Sequence, residues 1–173
     1  MTRQPSARVR SAAAAFFLVR AVAIIAVAAP VLTSCGRPVL PPRLAALPRT
    51  EWARGAKAAQ GLAALHGRQV APATSAFAEY GRGRLRLWLS IYPDDAQARR
   101  AVEAMLSGIS TGGTPFSPPR QERAWGSRWF IFGPGGHNLV WSNKDTVYWL
   151  QGEPDLLGRA IDELPAPPAG LAI

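Results

Sequence analysis

The clearest pattern in the chain lies between Arg84 and Tyr92, where Leu85, Leu87, Leu89 and Ile91 alternate with Arg84, Arg86, Trp88 and Ser90. A period of two puts the four aliphatic side chains on one side of a strand, against a core. The period then changes. Ala98, Ala101, Val102, Met105, Leu106 and Ile109 recur at helical spacing, and Asp94 with Gln97 three residues on has the form of a capping box, preceded by Pro93. Segments 128–132, 138–142 and 146–151 read as a meander with turns at 133–136 and 143–145, and 122–125 as an edge strand before it. Leu156, Leu157, Ala160, Ile161 and Leu164 make the buried side of a last helix over 154–164, opened by Pro154. Upstream, 77–80 reads as a strand before a turn at 81–83. Thr50 as N-cap and Gly67 as stop predict a first helix over 51–66, weakened by Gly55 and Gly61. This order of elements predicts an α+β fold in two layers, a mostly antiparallel sheet of about four to six strands with helices packed on one face.

The N-terminal third has a different character. No acidic residue precedes Glu51, while Arg3, Arg8, Arg10 and Arg20 precede or interrupt an apolar stretch that ends in the unbroken run 21–32. That run has the length of an export-signal core, roughly 7 to 15 residues, and falls short of the roughly 20 needed to span a bilayer. Extending it back to Ala12 would bury Arg20 at a cost of about 2.5 to 3.5 kcal/mol near the membrane centre. Leu32, Thr33, Ser34 and Cys35 follow: branched apolar, small, small, cysteine. This order at this place resembles the lipobox of bacterial lipoprotein precursors. The resemblance implies a diacylglyceryl group on the Cys35 sulfur, cleavage before Cys35 and acylation of the new amino group. Gly36 stands where an Asp would resemble the inner-membrane retention signal of enteric bacteria, so in a cell with two membranes the outer one, facing the periplasm, is favoured. Cys35 is the only cysteine, which excludes an internal disulfide. Residues 1–34 are thus expected to be a signal peptide. Residues 35–50, with Pro38, Pro41, Pro42 and Pro48 among Arg37, Arg43 and Arg49, are expected to be a lipid-anchored tether, whose stretch 36–49 would span roughly 40 Å in polyproline geometry. Residues 51–164 make the single folded domain, and 165–173, containing Pro165, Pro167 and Pro168, a flexible tail.

Removal of residues 1–34 would change the charge as well. The whole chain carries +9, but four basic and no acidic side chains lie before Cys35, which leaves 16 basic against 11 acidic groups, or +5. Such an excess suits contact with phospholipid, an anionic glycan or an envelope protein without demanding it, and export argues against chromosomal nucleic acid.

Four features are candidates for chemistry. Arg82, Arg84 and Arg86 alternate with core leucines and share a face with Trp88, a cationic strip able to grip phosphate or sugar, or simply a solvated strand face. Trp129, Trp141, Tyr148 and Trp149 fall on both faces of adjacent strands, so the second face needs a cover: the 51–66 helix, an apolar ligand or another chain. Among these residues Arg84, Arg86, Trp88, Trp141 and Trp149 are the candidate binding set. The run Gly133, Pro134, Gly135, Gly136, His137 lacks the Lys-Ser/Thr ending of a phosphate loop and reads as a turn. His137 and His66, the two histidines, form no metal-spaced pair. There is no His-Glu-x-x-His motif, and the acidic pair Asp94 and Asp95 belongs to a helix start. The expectation is a membrane-tethered, non-catalytic envelope lipoprotein without cofactor or metal, binding a protein partner or anionic envelope component. The alternatives are a lipid-anchored hydrolase of cell-wall or lipid material using His137 as general base, and a carrier of an apolar ligand.

Overall fold

A computed structural model describes residues 39–60, 72 and 74–168; Cys35, His66 and residues 1–34 lie outside the described residues. In chain order the elements are β1 (Arg43–Leu44), β2 (Leu47–Arg54), β3 (Thr74–Tyr80), β4 (Leu85–Ile91), α1 (Asp95–Ser110), β5 (Arg120–Gln121), a single 3-10 turn (Arg123–Trp125), β6 (Trp129–Gly133), β7 (Gly136–Asn143), β8 (Thr146–Gly152) and α2 (Pro154–Glu163). The strands form one sheet in the order β1-β2-β3-β4-β8-β7-β6-β5. It consists of two meanders joined where β4 pairs antiparallel with β8, with Leu87 opposite Leu150 and Trp88 opposite Trp149. The α+β class and antiparallel sheet agree with the sequence pattern; the sheet has eight strands rather than four to six.

The helices also pack differently from expectation, one against each face. Leu85, Leu87 and Leu89 point to a first face with Ala78, Tyr80, Leu139, Trp141 and Leu150, closed by Leu156, Leu157 and Ala160 of α2 and by Leu40, Leu44 and Ala45. On the second face Ile131, Val140, Val147 and Trp149 meet Ala98, Ala101, Val102, Leu106 and Ile109 of α1. The α1 cap forms as its residues foretell: Asp94 Oδ1 accepts from the Gln97 backbone N–H at 2.7 Å, and the Gln97 amide donates to Asp94 Oδ2 at 2.9 Å.

The extra strands come from residues 40–54, read above as tether and then helix. Ala45 and Ala46 adopt φ of 50° and 63° and turn β1 back onto β2. Both residues with positive φ is the signature of a type I′ hairpin. The Arg49 N–H donates to the Pro42 carbonyl at 2.9 Å and the Gly81 N–H to that of Pro48 at 3.0 Å, so the prolines act as acceptors at a sheet edge, where a missing N–H costs least. β2 ends before Gly55, whose φ of 60° lies outside the helical range, and a helical segment starts only at 56. The remainder of the expected 51–66 helix lies outside the described residues. The expected tail is likewise held at its start, since Trp141 Nε1 donates to the Pro165 carbonyl at 2.9 Å and the Asn143 amide to that of Ala166.

Candidate functional site

Two of the three arginines of the strip, Arg84 and Arg86, are engaged by the protein's own groups. Arg82 lies in the β3–β4 turn with φ of 60°. Arg84 pairs with Glu153 at 3.2 Å across exposed surface. Arg86 Nε donates to Glu79 at 2.8 Å, and its Nη1 donates to Gln151 Oε1 at 3.2 Å. Glu79, Arg86, Gln151 and Asn138 are successive partners across β3, β4, β8 and β7, a polar row along one register of the second face. At its buried end Asn138 Oδ1 accepts from Trp149 Nε1 at 2.8 Å and from Gln151 Nε2 at 3.1 Å. Such a row of satisfied partners fixes register and leaves little charge for an external anion.

The three candidate tryptophans are not brought together on one surface. Trp88 packs on Phe77 of β3 with ring centroids 5.0 Å apart. Trp149, beside it on the second face, is 3% exposed and meets Phe116 edge-on at 5.6 Å. Trp141 points to the first face, 1% exposed, stacked on Tyr148 at 4.9 Å with the Arg128 guanidinium 5.0 Å over its ring. That arginine is itself buried, and burial pulls its pKa below the usual arginine value, opposed by the nearby Asp162 carboxylate. Over β7 and β8 the second face, whose cover was sought above in the 51–66 helix, a ligand or a partner, is covered by α1 together with Phe116. A cavity lined by Val102, Trp129, Trp141 and Pro167 measures about 30 Å³, room for one water.

His137 sits between Phe130 at 5.5 Å and Phe132 at 5.3 Å, and among the described residues no acid or hydroxyl is hydrogen-bonded to it. Gly133 to Gly136 is a tight turn with Gly135 at φ of 80°, as its composition indicates. Among the described residues no three His, Cys, Asp or Glu side chains gather in a way that would hold a metal. Gly108, Ile109, Ser110, Thr111 and Gly112 do have the Gly-x-Ser-x-Gly spacing of a nucleophile elbow. They fall at the C-terminal end of α1 rather than in a strand-to-helix turn, and Ser110 Oγ donates to the Leu106 carbonyl at 2.9 Å, so the hydroxyl serves its own helix.

One cluster was not singled out by the sequence reading. A bulge between Arg49 and Glu51 shifts the register of β2 on β3. It places Arg49, Trp52 and Arg54 on the first face, opposite Tyr80, Ala78 and Ala76. Trp52 is 53% exposed, with the Arg49 and Arg54 guanidinium carbons each 5.4 Å from its ring centroid. Among the described residues neither arginine has a carboxylate partner, whereas Glu51 and Glu79 share the opposite face.

Comparison with protein-family models, with curated proteins and with solved structures finds no match to this chain. Among the described residues no helix is long and apolar enough to cross a membrane.

Proposed function

We propose that this is a lipid-anchored protein of the bacterial cell envelope, exported by residues 1–34 and acylated on Cys35, whose sheet domain is a non-catalytic binding module. Its ligand is a protein partner or an anionic envelope component. The observation that carries the reading is the order Leu32, Thr33, Ser34, Cys35 directly after the apolar run 21–32. The sheet domain follows closely, with Leu40 already buried five residues beyond Cys35. A binding role rather than hydrolysis is supported by the surroundings of His137, which is flanked by two phenylalanine rings rather than by an acid and a nucleophile. Two acyl chains or more would hold the domain stably at a bilayer, since each buried methylene contributes about 0.8 kcal/mol and a single chain is marginal.

The test is mass spectrometry of the protein recovered from bacterial membranes, joined to capture of its neighbours after brief crosslinking. An N-terminal peptide beginning at a doubly or triply acylated Cys35 is the expected result. A free Cys35 thiol within a chain that retains residues 1–34 would overturn the anchor.

A further inference from the structure

We propose that Trp52, with Arg49 and Arg54, is a membrane-docking patch that seats the domain edge-on against an anionic lipid surface; the proposal rests on the acylation of Cys35 proposed above. Three observations converge on it. The first is reach. Arg49 Nη1 donates to the Leu40 carbonyl at 2.8 Å while its guanidinium carbon lies 5.4 Å from the Trp52 ring, which keeps that carbonyl within about 10 Å of the indole. Leu40 lies five positions beyond Cys35, and an extended chain of that length reaches at most about 18 Å. A domain of this size has a radius of gyration of roughly 14 Å, so the tether keeps the β1–β2 edge near the bilayer in every orientation of the domain, which is not true of the far edge.

The second observation is charge. Residues 35–60 contain five basic side chains and one acidic one, whereas 61–173 contain eleven and ten. Nearly the whole excess of the mature chain therefore lies beside the anchor, where a negative leaflet attracts it most strongly. The third is chemistry. Trp52 is one of three large apolar side chains exposed among the described residues, at 53%, and Val39, at 81%, is another. A half-exposed indole between two guanidinium groups that have no carboxylate partner among the described residues suits the interfacial zone, where the ring lies at headgroup depth and the cations meet phosphates. Glu51, on the opposite face of the same strand and without a basic partner among the described residues, would be repelled by that surface and so selects the face that docks.

The test uses lipidated protein purified from membranes and reconstituted into vesicles. A Trp52→Cys variant, whose new thiol is free while Cys35 is acylated, carries a fluorophore quenched by nitroxide-bearing lipid. An Arg123→Cys variant carries the same label beyond the opposite edge of the sheet, next to β5. Severalfold stronger quenching at position 52 than at 123 in vesicles containing phosphatidylglycerol, weakened in phosphatidylcholine alone, in high salt or by an added Arg54→Glu substitution, is the expected result. Equal quenching at both positions on protein whose Cys35 is shown by mass to be acylated would overturn the docking patch and leave the anchor intact. A photocrosslinker at position 52 that captures a protein instead of lipid would also overturn it. Loss of acylation from Cys35 would overturn both proposals together.

Discussion

Trp141 and Trp149 stand on adjacent strands and point to opposite faces of the sheet, each almost fully withdrawn from water. Trp141 is sealed by Tyr148, Arg128 and the chain at Pro165, and Trp149 by Phe116 and Asn138. Both indoles are structural, and replacing either by Ser should cost about 3 to 5 kcal/mol, the range for removing a buried tryptophan. Trp52→Ser removes a half-exposed ring with its two arginine contacts and should cost no more than about 2 kcal/mol. Denaturant unfolding of the three variants checks this contrast. A Trp141→Ser domain as stable as the parent would mean that this indole is not the core element described.

The polar row on the second face depends on Asn138. Its Oδ1 is the acceptor for both Trp149 and Gln151, and its own amide donates to the Gly136 carbonyl at 2.8 Å. Asn138→Leu keeps the volume but removes the acceptor of the Trp149 indole and leaves Gln151 Nε2 with the Pro134 carbonyl alone, for which a loss of roughly 1 to 3 kcal/mol is expected. In a double-mutant cycle with Trp149→Phe, part of that loss should disappear, because the phenyl ring has no N–H to satisfy. Strict additivity of the two substitutions would count against the bond.

What could be read from the chain depended on how local its cause was. The capping box of Asp94 and Gln97 and the alternation of Leu85, Leu87 and Leu89 are complete within a few residues, and both elements form where their pattern places them. β2 is different: its pairing partner lies across residues 55–73, and the bulge at Thr50 breaks the alternation that would have marked a strand. Arg49 consequently resembled tether and Trp52 resembled helix, although the two share one face. The burial of the tryptophans was hidden for a related reason. With α1 on one side and α2 on the other, both faces of β7 and β8 are apolar, and alternation no longer tells an exposed aromatic from a covered one.

The β1–β2 turn stores a cost that a single substitution should relieve. Ala46 holds φ of 63° and its side chain is exposed, while the preceding Ala45 N–H is satisfied by Glu163 Oε1 at 3.0 Å. A left-handed conformation costs a residue with a Cβ roughly 1 to 2 kcal/mol, and glycine escapes most of that penalty while losing about 0.4 to 1 kcal/mol through its freer unfolded chain. Ala46→Gly should therefore raise stability by up to about 1 kcal/mol, read as a higher denaturant midpoint at unchanged slope. A lower midpoint would show that the hairpin does not adopt this turn.

Tyr80 ties the N-terminal segment to the sheet, and its ionisation should release that tie. The phenol is fully buried and donates to the Pro41 carbonyl at 3.1 Å. Burial raises its pKa from 10.0 to about 12, against the opposing influence of the Arg49 charge. The folded state therefore holds the phenolic proton more tightly than the unfolded chain does. The resulting contribution to stability is fully present below pH 10 and is lost as the pH rises through about 12. Tyr92 and Tyr148 shift upward for the same first reason, burial, so tyrosinate absorbance of the native protein should rise later than that of the protein in denaturant. Stability measured across the same range should fall less steeply for Tyr80→Phe than for the parent. An unaltered slope in that variant would place the Tyr80 hydroxyl in water, and with it would go the strap that brings Leu40, and the proposed anchor five residues before it, to the Trp52 edge.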